Sequence, residues 1–138
     1  MKYSLILATI TVLLFVDSCK KEMMWDSAYI VGFNPCTATY SDLHNKGYIL
    51  ITIDSRDTVA TYNLPKDLFD FPISYFSNFE SNCLFPDSAR FIYRIRIKYS
   101  ITPEKEKTVT ECSSDIFLGI YYQYVKFRQI TLHSARKE

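Results

Sequence analysis

The chain has 138 residues and a formal net charge of +1, with 16 Lys and Arg against 15 Asp and Glu. That balance provides no bulk field of either sign to draw nucleic acid or an acidic substrate, so no nucleic-acid partner is expected. Aromatic residues make up 16%, with 11 Tyr and 10 Phe against only 3 Gly, a composition that favours strands over helices.

The first element is a leader. Lys2 is followed by an apolar run from Leu5 to Val16, broken only by Thr9 and Thr11, and then by Asp17, Ser18 and Cys19. A basic start, an apolar middle and a small residue before the cut are the layout of a secretory signal. The run is too short for a transmembrane helix, which needs roughly 20 residues. It is apolar all round, so it does not read as an amphipathic helix of the folded domain. Val16-Asp17-Ser18-Cys19 resembles the lipobox of bacterial lipoproteins: Val16 and Ser18 match the pattern, and Asp17 departs from it. Lys20-Lys21-Glu22 is similar to the charged tripeptide that follows the cysteine in Bacteroidetes-type lipoproteins. The resemblance implies cleavage before Cys19, lipidation at Cys19 and residence on the outer membrane, on its periplasmic or surface face. Lys2 and Asp17 leave together, so the mature net charge is unchanged.

Met23 to Ser27 reads as a tether, with Trp25 plugging one end of the core. Tyr29 to Phe33 is a first strand, and Asn34 to Lys46 a loop broken by Pro35. Gly47 to Ile53 is the clearest strand. Asp54 to Asp57 turns, and Thr58 to Tyr62 returns, so a β-hairpin is predicted. Apolar residues at 73, 76 and 79 between Pro72 and Pro86 have helical spacing, so a short helix is expected over Ile73 to Asn82. Arg90 to Ile101 alternates with period two. Phe91, Tyr93, Ile95, Ile97 and Tyr99 face inward, and Ile92, Arg94, Arg96 and Lys98 outward. Thr108 to Cys112 pairs back after a charged turn. Asp115 to Tyr124 fits a strand, or a helical turn with a loop. Val125 to His133 is the last strand, with a β-bulge where its alternation slips between Phe127 and Ile130.

The expected organisation is a signal peptide over 1–18, an anchor and tether over 19–27, one β-rich globular domain over 28–134 and a frayed tail over 135–138. The fold class is mainly β: a small, partly open, OB-like barrel of five to six strands with one short helix. A β-sandwich is the alternative, because closure is not a local property. The stretches Gly32-Phe33-Asn34-Pro35-Cys36, Asp57 to Pro65 and Phe85-Pro86-Asp87-Ser88 are similar to small Bacteroidetes-type outer-membrane lipoproteins. That similarity implies an exported domain and assigns no activity.

Three cysteines follow Cys19, and in an exported protein one disulfide with one spare thiol is expected. Of three pairings, Cys36 with Cys112 is preferred because both sit in loop-like stretches. Cys83 lies in an aromatic segment where a buried free thiol fits.

No catalytic motif or cofactor fingerprint stands out, and a non-enzymatic interaction or accessory module at the bacterial envelope is the leading expectation. Its candidate binding residues are the basic strand face Arg94, Arg96 and Lys98, with Lys126 and Arg128 on a neighbouring strand. The aromatics Phe69, Tyr75 and Phe79 form a second candidate group. Together they suggest a glycan-binding surface domain as the alternative. The plain readings are a solvated strand face for the cations and barrel-end packing for the rings. Cys112 with His133 is the one nucleophile and base that can be drawn. The Cys and His spacing fits no zinc site, and the pairs Asp54/Asp57 and Asp67/Asp70 are too few oxygens for calcium, so no metal or cofactor is expected.

Overall fold

The computed structural model describes residues 22–34, 47–76, 84–109 and 126–138. Five strands form a closed barrel: β1 (Met24–Phe33), β2 (Tyr48–Thr52), β3 (Thr58–Thr61), β4 (Arg94–Ile101) and β5 (Arg128–Lys137). Their order around the barrel is β1-β2-β3-β5-β4, and β4 returns to β1. All neighbours are antiparallel except β3 and β5, which are parallel. This is the small OB-like barrel expected, closed rather than partly open, and not a sandwich.

The period-two alternation positions the core. Ala28, Ile30 and Phe33 from β1 meet Tyr48 and Leu50, Val59, Ile95, Ile97 and Tyr99, and Ile130 and Leu132 in one buried cluster. The β3–β4 connection adds Leu64, Phe71, Phe76, Phe85 and Ala89 to that cluster. Among its described residues the helical portion is one 3-10 turn, Ile73–Phe76, begun by the Tyr75 N–H donating to the Pro72 carbonyl at 3.0 Å. Of the helix expected over Ile73 to Asn82, this turn is the described part; residues 77–83 lie outside the described residues. One turn suffices to swing Phe76 into the core beside Phe33, with ring centroids 5.0 Å apart.

The hairpin of β2 and β3 has the expected register, from Tyr48 opposite Thr61 to Ile51 opposite Thr58. Its turn is held from outside the hairpin. Asp26, on β1 and only 2% exposed, accepts the Asp54 N–H at 2.9 Å, the Ser55 N–H at 3.1 Å and the Ser55 hydroxyl at 2.8 Å. Burial alone raises the carboxyl's pKa, but these hydrogen bonds outweigh it and leave it below the ordinary 3.8. Arg56 takes a left-handed φ of 53°, which lets the chain reverse within this short span.

Barrel closure depends on a side chain. Only Val59 and Ala60 pair with β5, opposite Arg128 and Gln129. Beyond them Asn63 continues the seam as a substitute peptide. Its Nδ2 donates to the Leu132 carbonyl at 2.8 Å, and its Oδ1 accepts the Leu132 N–H at 3.0 Å. Asn63→Ala is expected to cost about 1.5 kcal/mol, since two backbone groups lose a partner near solvent. Hydrogen exchange at the Leu132 amide should accelerate, and an unchanged rate would show that closure does not depend on Asn63.

Several boundaries differ from the sequence reading. β1 starts at Met24, so the expected tether is already strand, with Asp26 and Ser27 buried. Trp25 does not plug the core; it is 55% exposed on the barrel exterior, because alternation points Met24 and Asp26 inward instead. β4 starts at Arg94, not Arg90. Pro86 opens a turn in which its carbonyl accepts the Ala89 N–H at 2.8 Å, and this leaves Phe91 and Ile92 exposed. Thr108 is not in a strand. Its backbone is held by the Gln129 side-chain amide, at 2.8 Å and 2.9 Å. The bulge in β5 is at His133 rather than between Phe127 and Ile130, since Lys98 faces Ser134 and Tyr99 faces Leu132. The tail does not fray: β5 runs to Lys137, and the Glu138 N–H donates to the Arg94 carbonyl at 3.1 Å.

Candidate functional site

Two outer faces of the barrel differ sharply. Across β1, β2 and β3 the exterior is apolar and already packed: Val31, Ile49 and Ala60 are buried, with Tyr29, Ile51, Tyr62, Leu84 and Phe127 against them. In OB-like barrels the β2–β3 surface commonly takes ligands. Among the described residues those strands present no open polar platform, because Ile49 and Ala60 occupy its centre.

The exterior of β1, β4 and β5 is the polar face. Cross-strand register places Trp25 beside Lys98, Ser27 beside Arg96, and Tyr29 beside Arg94. On the other flank Ser134 stands opposite Lys98 and Arg136 opposite Arg96. Lys98 Nζ lies 5.5 Å from the centre of the Trp25 ring, a cation–π contact. Arg96 donates to the Ser27 hydroxyl at 3.0 Å and stands 3.8 Å from Asp54. Arg94 pairs with Glu138 at 3.2 Å. A hydrogen bond from Ser27 and the nearby Arg94 and Arg96 hold the Glu138 carboxyl below its usual range, against a smaller opposing effect of burial. Two arginines directly across a sheet repel one another. Arg136 has no carboxylate within ion-pair distance among the described residues, and neither has Lys98.

The predicted basic stripe is therefore present, and its inner residues Ile95, Ile97 and Tyr99 are buried as the alternation required. Of the expected neighbours, Arg128 is on the adjacent strand β5, but away from the stripe. Arg128 lies at the start of β5 and pairs with Asp57 at 3.5 Å, and Lys126 precedes that strand. Sequence reasoning missed Arg136, because the charged C-terminal residues look like a frayed end until β5 is seen to pair along its whole length.

The aromatic group is also elsewhere. Phe69 and Tyr75 are partly buried against the core; Phe69 meets Tyr93 at 5.1 Å and Tyr75 meets Phe85 at 5.2 Å. Phe79 lies outside the described residues. Burial pushes the Tyr93 phenol up to about 12, aided by its bond to Tyr75, and burial does the same for Tyr48. Both stay protonated at neutral pH. The aromatic residues that β1 places on the basic face are Trp25, which the sequence reading assigned to the interior, and Tyr29 beside Arg94.

Other candidate chemistry is sparse. A cavity of about 40 Å³ beside Phe69 and Phe71 has room for about one water. A shallow groove of about 210 Å³ runs past Asn63, Thr102 and Thr131, but its polar groups already bond one another, Thr102 to Thr131 at 2.9 Å. His133 shares a hydrogen bond of 2.8 Å with the buried Ser100 hydroxyl. Cys112, its proposed partner, lies outside the described residues, as do Cys19, Cys36 and Cys83. No group of three His, Cys, Asp or Glu gathers as metal ligands among the described residues. No helix among them is long and apolar enough to cross a membrane.

Fold and surface define a small OB-like barrel with an apolar packed face and an open basic face. Comparison of the chain with family models, with curated proteins and with solved structures finds no match.

Proposed function

We propose that this protein is a lipid-anchored, non-enzymatic interaction or accessory module of the bacterial envelope, held on the outer membrane through Cys19. The observation that carries the reading is the sequence Val16-Asp17-Ser18-Cys19 placed five residues before the first barrel strand, which begins at Met24. An export leader that ends so close to a folded barrel fits a cleaved signal and a tethered domain. Each buried acyl methylene contributes about 0.8 kcal/mol, so two or three chains anchor a domain of this size stably. An oxidising compartment also suits one disulfide, with Cys36 and Cys112 the preferred pair.

Intact mass of the protein extracted from its native membrane tests this. The expected mass is that of Cys19 to Glu138 plus acyl chains, less the hydrogens of one disulfide. Cys19→Ser should release the protein from the membrane fraction. An unlipidated mass with all thiols free would overturn the reading.

Glycan binding by aromatics and the basic strand face is the second reading. Packing against the core limits Phe69 and Tyr75 as platforms, so Trp25 beside Lys98 is the observation that favours it. Glycan-array binding that disappears on Arg96→Ala would support it, and no binding to any glycan would dismiss it.

A further inference from the structure

We infer that the outer face of β1, β4 and β5 docks on the membrane that anchors the protein, with Trp25, Lys98 and Arg136 against anionic phospholipid headgroups. The inference rests on the lipid-anchor reading above and adds an orientation to it.

Three observations converge. The first is a pair of exposed apolar side chains next to the anchor, although Phe91, Ile92 and Ile73 are also exposed elsewhere on the barrel. Met23 is 51% exposed and Trp25 55% exposed, side by side at the point where the chain enters the barrel. An indole is amphipathic and settles at the headgroup level, where its ring is shielded and its N–H stays hydrated.

The second is charge. Arg94 and Arg96 each have a carboxylate nearby, Glu138 and Asp54. Lys98 and Arg136 have none among the described residues, and they occupy the two rungs nearest the start of β1. Lys98 thus sits against the exposed indole, and Arg136 lies on the same face, across β4 and opposite Arg96. Lys20 and Lys21, partly offset by Glu22, leave the segment between the anchor and the barrel with charge of the same sign. Anionic leaflets attract basic residues of this kind within a Debye length.

The third is reach. The five residue steps from Cys19 to Met24 span at most about 18 Å even when fully extended. An acylated Cys19 therefore keeps the start of β1 close to the headgroups, and the side of the barrel it can present is limited.

The chain has a single tryptophan, so its fluorescence reports this contact alone. The experiment uses the full lipidated protein, confirmed by mass and reconstituted into vesicles of phosphatidylcholine with phosphatidylglycerol. Some of the lipid carries bromine on its acyl chains near the headgroup. Trp25 emission should shift to the blue and be quenched by the brominated lipid. Quenching should fall several-fold in the Lys98→Glu/Arg136→Glu variant, and likewise in vesicles of phosphatidylcholine alone. The charge variant can be checked for folding by the unchanged exchange of buried core amides. No quenching in a protein whose mass shows acyl chains would overturn the docking face and leave the anchor standing. Equal quenching in the charge variant would overturn the role of the cations. Binding of a soluble acidic glycan that alters Trp25 emission, without any lipid quenching, would assign the face to glycan instead. An unlipidated mass removes the anchor, and the docking inference falls with it.

Discussion

Phe85→Ala is expected to destabilise the barrel by about 4 kcal/mol, the largest effect of any single substitution considered. Phe85 is fully buried and lies at the centre of a ring cluster. Its centroid is 5.3 Å from Phe71, 5.2 Å from Tyr75, 6.2 Å from Phe76 and 5.8 Å from Tyr93. Truncation removes apolar contact with all four neighbours and leaves a cavity that aromatic rings fill poorly. Its backbone N–H donates to the Val31 carbonyl at 2.7 Å, so the ring's loss also loosens a link between the β3–β4 connection and β1. Phe85→Leu keeps most of the volume and should cost about 1.5 kcal/mol. Small domains are stable by only about 5–15 kcal/mol, so the alanine variant should lose a large share of its stability and unfold at a much lower urea concentration. Urea titrations that compare midpoints at constant slope provide the measurement. A loss below about 1 kcal/mol for Phe85→Ala would mean that the remaining rings collapse into the space.

Asp26→Ala should cost about 3 kcal/mol at neutral pH, because three hydrogen bonds to a charged acceptor are lost from a buried site. Asp26→Asn keeps the shape and part of the acceptor capacity, and should cost about half as much. The pH dependence distinguishes this role from simple packing. The carboxyl's pKa in the fold is below its ordinary 3.8, so the folded state prefers the ionised form. That contribution is fully present above 3.8 and is lost as pH falls through the lower folded value. The stability gap between the wild type and Asp26→Asn should therefore narrow in strong acid. A gap that stays constant across that range would show that the carboxylate charge does not hold the β2–β3 turn.

Asp26 also bears on the proposed binding face. Asp26 fixes the turn that carries Asp54, and Asp54 is the acidic neighbour of Arg96. Weakening that turn should free Arg96 electrostatically without touching Trp25 or Lys98. The interior and the exterior of β1 are thus linked through alternate residues of one strand.

Legibility followed the range of the interaction. The β2–β3 hairpin could be read because two strands and a turn rich in Asp and Ser are contiguous in the chain. The inside–outside division of β4 could be read from Arg94 onward, since period two follows from strand geometry alone. The same rule misled over Phe91: alternation cannot show that Pro86 has begun a turn instead of a strand. It also could not place Trp25, whose size suggests burial while its parity directs it outward.

The C-terminal residues show the limit most plainly. Ser134 to Glu138 look solvated because nothing local pairs with them; their partners, Arg94 to Lys98, lie far back in the chain. The sequence by itself determined the strand-rich class, the hairpin and the basic parity of β4, because those depend on neighbouring residues. Only the tertiary structure decided that the sheet closes through a parallel β3–β5 seam, that Asn63 extends it, and that Arg136 joins Trp25 and Lys98 on one face. Each of these depends on pairing between distant segments, and no local pattern encodes which distant strand will supply the partner.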